Sequence, residues 1–79
     1  MKRYSYDIDG VQVMLDVQAP HGGPRDYAAQ AEQVLLRARY HHDTAAEVMG
    51  KRLAMVWATV DEKNQLREGA VEFRPKEVR

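Results

Sequence analysis

Apolar and polar residues alternate over residues 3–18, on both sides of Asp9-Gly10. Asp-Gly favours the positive backbone φ angles of a two-residue type I′ turn. With that pair at the tip, Ile8 faces Val11, Tyr6 faces Val13 and Tyr4 faces Leu15, so one face is wholly apolar or aromatic. The other face sets Asp7 against Gln12, Ser5 against Met14, and Arg3 against Asp16. Turn chemistry and alternation are independent signals, and they predict the same register for a hairpin over 3–18.

The period then changes. Ala19 to Pro24 is a connection in which Pro20 ends the strand and Pro24 suits the first turn of a helix. Tyr27, Ala31, Val34, Leu35 and Ala38 recur at three- and four-residue spacing, which predicts an amphipathic helix over 25–40. Gln30, Gln33, Arg37 and His41 lie opposite the stripe, and Leu36 falls off it. Thr44-Ala45-Ala46-Glu47 matches a capping box, which places a break at His41-His42-Asp43 and a short second helix over 44–50. The competing reading is one helix to residue 49, with Ala45 and Met49 continuing the stripe.

Valine, tryptophan and threonine content makes 53–60 a strand, and a polar turn follows at Asp61–Asn64. A further strand over 70–74, stopped by Pro75, completes a hairpin over 53–74 and leaves 75–79 as a charged, frayed tail. The expected fold is α+β, a single domain over 1–79 in the order β-β-α(-α)-β-β. Its four-stranded antiparallel sheet carries the helices on one face.

Composition narrows the function more than it identifies it. Lysine plus arginine balances aspartate plus glutamate, twelve of each, with five of each sign in residues 1–40 and seven of each in 41–79. A non-specific nucleic-acid binder carries a basic excess, and this chain has none. The absence of cysteine removes disulfides and thiolate zinc sites, and fits a cytoplasmic protein. No window is apolar for the eighteen or more residues of a membrane span, so no membrane partner is expected.

The candidates for chemistry are sparse. His41 and His42 are adjacent, not at the i, i+3 or i, i+4 spacing of a chelating pair, and His21 stands apart. Asp7-Ile8-Asp9-Gly10 lacks the remaining ligands of a calcium loop. Gly22-Gly23-Pro24 precedes a helix but matches no phosphate-binding fingerprint. Ser5 is the sole serine and has no nucleophile elbow around it. The chain is read as non-enzymatic, with no cofactor and no metal.

The most suggestive stretch is 53–60, apolar on both faces: Ala54, Val56, Ala58 and Val60 on one, Leu53, Met55 and Trp57 on the other. Helices can cover only one of them. If the row containing Trp57 is open, Met55, Trp57 and Met14 form a partner-binding patch, because Trp and Met are enriched in interface cores. If Trp57 instead enters the core, the alanine and valine row is left outside, which points to self-association or a further covering element.

The expected function is a small protein-binding module that occludes a surface of a larger partner or of its own copy, as a homodimer. Proteins of this size and type are frequent among phage and mobile-element accessory proteins, including anti-CRISPR inhibitors of host defence complexes. The alternative is a nucleic-acid-binding regulator using the basic stretch Arg37, Arg39, Tyr40 and His41 with Lys51 and Arg52. Against it stand the zero net charge and the shortness of a capped helix carrying Glu47 near its start.

Overall fold

The computed structural model describes residues 1–49, 52–67 and 72–76, with side chains over 1–41 and 53–67. The first hairpin joins β1 (Lys2–Ile8) to β2 (Val11–Val17). Every predicted pair forms, from Arg3 opposite Asp16 to Ile8 opposite Val11. Asp9 (φ 52°) and Gly10 (φ 78°) both take positive φ, as a type I′ turn demands.

A 3₁₀ turn, Pro24–Tyr27, leads into α1 (Ala28–Met49), which runs for 22 residues without interruption. The break at His41–Asp43 and the separate helix over 44–50 are therefore corrected. No glycine or proline lies between Arg25 and Met49. A second start at Thr44 would need a non-helical N-cap and a fresh, costly nucleus, whereas continuation adds one hydrogen bond per residue.

Helix continuity decides the sheet. Twenty-two residues span about 33 Å and seven strand residues about 23 Å, so one helix carries the chain back past the whole of β2. The next strand, β3 (Arg52–Val60), then enters parallel to β2, with Gln12 opposite Met55 through Val17 opposite Val60. Two helices folded back on each other would have returned the chain to the far end and made the pair antiparallel. The sheet is thus mixed, not antiparallel throughout, in the order β1-β2-β3-β4.

β4 (Glu72–Lys76) pairs antiparallel with β3. Pro75 does not stop it but lies within it, opposite Leu53, as an edge strand tolerates. The expected strand over 70–74 is shifted accordingly, and its first two residues lie outside the described ones, as do Gly50, Lys51 and 77–79. Between β3 and β4 the Asp61 carboxylate accepts the Lys63 and Gln65 N–H groups, both at 2.9 Å. Leu66 then bridges back to Val60.

The core lies between α1 and one face of the sheet. Tyr4, Val11, Val13, Leu15, Val17, Val56, Ala58 and Val60 from the strands meet Tyr27, Ala31, Val34, Leu35 and Ala38, the predicted stripe. Tyrosines pin the connection to this core. The Tyr4 and Tyr27 rings stack at 5.1 Å. Tyr4 Oη donates to the Gly22 carbonyl at 2.9 Å, Tyr6 Oη donates to the Pro24 carbonyl, and the His21 N–H donates to Tyr27 Oη at 2.7 Å. The Asp26 carboxylate lies in the space that a Cβ on Gly22 would take, so any larger residue there would have to displace that side chain.

Candidate functional site

No described element covers the second face of the sheet. Alternation brings Arg3, Ser5 and Asp7 of β1, Gln12, Met14 and Asp16 of β2, and Met55, Trp57 and Thr59 of β3 to it. The parallel register sets Met14 directly opposite Trp57 and Gln12 opposite Met55. The three residues singled out for partner binding, from opposite halves of the chain, thereby meet across the β2–β3 seam. Each is half-buried. Val56, Ala58 and Val60 are at 0% exposure under α1, so Trp57 is outside the core.

The alternation does not extend to Leu53 and Ala54 as expected. The β3–β4 register shifts between Leu53 and Met55, and Leu53 packs against the core. Ala54 instead lines a depression of about 290 Å³ with Ser5, Tyr6, Asp7, Gly10 and Gln12. That lining is largely polar and the volume lies at the lower limit for a small-molecule site.

Three side chains lock the open face together. Arg3 donates to Asp16 through Nε at 2.8 Å and through Nη2 at 3.3 Å. Trp57 Nε1 donates to the second carboxylate oxygen at 2.8 Å. The Arg3 guanidinium closes the triangle, 4.4 Å over the Trp57 ring. Asp16 is only 7% exposed. Hydrogen bonding from Arg3 lowers its pKa from the ordinary carboxylate range; burial opposes this, and the Trp57 N–H and the Arg3 charge reinforce it. The same hydrogen bond raises the already high pKa of Arg3.

The sequence pairs Arg3 with Asp16, but their link to Trp57 runs through the parallel β2–β3 register, for which no local signal exists. Chemically, the triangle presents an indole whose polar N–H is already satisfied and whose orientation is fixed, with two flexible thioethers beside it. Such a surface suits contact with apolar and aromatic groups of another molecule.

The alternative basic patch sits on the other layer. Arg37, Tyr40 and His41 are exposed on α1, and the Tyr40 and His41 rings meet edge-to-face at 5.4 Å. Arg39 is engaged by Asp9 at 3.4 Å, across to the hairpin turn. Arg52 is placed by its backbone opposite Lys76, and Lys51 lies outside the described residues. The glycine connection offers no open anion cradle, because the Asp26 carboxylate already accepts the Gly23 N–H at 2.7 Å. Among the described residues no group of three or more histidine, aspartate or glutamate side chains is gathered as a metal site, and no helix is long and apolar enough to cross a membrane. No family model matches the chain, and neither does any curated protein or solved structure.

Proposed function

We propose that this protein is a non-enzymatic binding module whose uncovered sheet face, centred on Trp57 with Met14 and Met55, occupies a surface of a protein partner. One observation carries the reading: a tryptophan held outside the core and locked in place by Asp16 and Arg3. Tryptophan, arginine and methionine are the residue types that interfaces enrich. A pre-oriented indole also loses little side-chain freedom on binding, which leaves more of the contact energy as affinity. The basic stretch of α1 supports nucleic-acid binding less well, since Arg39 is held by Asp9 and the net charge is zero.

Capture from the native host's lysate tests this when three tagged forms run side by side, with and without nuclease. These are the wild type, a Met55→Glu or Trp57→Ala variant that keeps the native circular dichroism, and an Arg37→Glu/Arg39→Glu variant. A stoichiometric protein that survives nuclease, stays with the helix variant and is lost from the open-face variant is the expected outcome. Retention by the open-face variants together with loss from the helix variant, or loss on nuclease treatment, would transfer the function to α1 and nucleic acid.

A further inference from the structure

The two edges of the sheet differ. β4 carries Pro75, and a register shift in its pairing lies nearby, the devices that blunt an edge against further pairing. β1 has neither: its seven residues pair with β2 in one unbroken register. Ile8 and Val11 flank a two-residue turn and so exchange both hydrogen bonds, after which bonded and non-bonded pairs alternate. Lys2, Tyr4, Tyr6 and Ile8 therefore bond inward. The bond from Gln18 N–H to the Val60 carbonyl, 3.0 Å, agrees, because it sends the even residues of β2 toward β3 and the odd ones toward β1. What remains is a row of N–H and C=O groups from Arg3, Ser5 and Asp7 aimed away from the sheet. All three residues are exposed.

We infer that this edge pairs with β1 of a second copy, antiparallel and with Ser5 opposite Ser5, joining two sheets into one. The occupant follows from charge. In that register the whole of Lys2–Ile8 overlaps its copy, and Arg3 lies opposite Asp7 on both sides of the two-fold axis. A two-residue slip shortens the overlap and sets Arg3 against Ser5, and a further slip sets it against another Arg3. Asp16 engages Nε and Nη2 of Arg3, leaving the other guanidinium nitrogen for the facing aspartate. The two-fold axis is perpendicular to the sheet. Both helices then lie on one side and both Trp57 surfaces on the other, so the assembly is bivalent. The pairing itself does not depend on what the Trp57 surface binds.

The chain has no cysteine, so an introduced one reports a single position. A hydrogen-bonded antiparallel pair holds its Cα atoms about 5.5 Å apart, within reach of a disulfide. Sedimentation over a wide concentration range should show mass rising from 9.1 kDa toward twice that value. Ser5→Pro removes an outward N–H together with the exposed hydroxyl that accepts from Gln12 Nε2 at 3.4 Å, and Asp7→Arg sets arginine against arginine; each should stay monomeric with unchanged circular dichroism. Should Ser5→Pro fail to fold, Asp7→Arg carries the comparison. Ser5→Cys should oxidise to a covalent dimer at least tenfold faster than Gln12→Cys, which lies on the same face but on an interior strand. A wild type that is monomeric throughout, a dimer that persists in folded Asp7→Arg, or equal oxidation of the two cysteine variants would overturn the inference.

Discussion

Asp16 is the one buried charged side chain among the described residues, and it is buried on the face that no helix covers. A carboxylate in that position is tolerable only with its hydrogen bonds made, and Arg3 and Trp57 make them. Its pKa is lowered by folding, so the unfolded chain binds its proton more readily than the folded one. Its contribution is therefore fully present above the unfolded value of about 3.9 and is lost as pH falls from there through the lowered folded value. Asp16→Asn keeps the shape but loses the charge. Urea unfolding at pH 7 should show it less stable by about 1.5–3 kcal/mol, the net worth of a hydrogen bond to a charged group. The gap between wild type and variant should narrow as pH falls below 4. A gap that stays constant down the acid limb would mean that the carboxylate's charge does no work there.

At the scale of elements, α1 determines how the halves of the chain meet. The hairpin was legible to the residue because both of its signals are local: Asp9-Gly10 sets the turn and the alternation sets the faces. The helix stripe from Tyr27 to Ala38 was legible for the same reason. The break at His41–Asp43 was misread because a capping box is a local match that acts only if the backbone leaves the helix, and nothing in Thr44–Glu47 forces it to. The competing reading, one helix to residue 49, is the one that forms, and it also overturns the antiparallel sheet, since a single helix sets the direction of β3. Ala45→Pro separates the two geometries. In a helix starting at Thr44, residue 45 is the first helical position, where proline is favoured. Inside the continuous α1 it removes a backbone hydrogen bond and clashes with the preceding turn, costing about 3 kcal/mol. A large drop in unfolding free energy is expected, and a neutral effect would restore the break.

For the molecule as a whole, one sheet is shared between a core and an uncovered face. Val13, Leu15, Val56, Ala58 and Val60 close against α1, while Met14, Met55 and Trp57 are left between the core and solvent. The sequence offered these three as a patch on the condition that the Trp57 row is open, because alternation alone could not say which row of 53–60 faced outward. Arg3 and Asp16 were legible as a cross-strand pair and not as supports of Trp57, because their meeting depends on a pairing between strands about forty residues apart. The proposed function requires Trp57 to be open, and the protein has only one tryptophan to report on it. Quenching of its fluorescence by acrylamide in the folded protein is the most direct measurement. Quenching intermediate between free indole and a core tryptophan, abolished when a captured partner is added, is what the uncovered face predicts. An indole that acrylamide does not reach in the isolated protein would put Trp57 under cover and contradict the site.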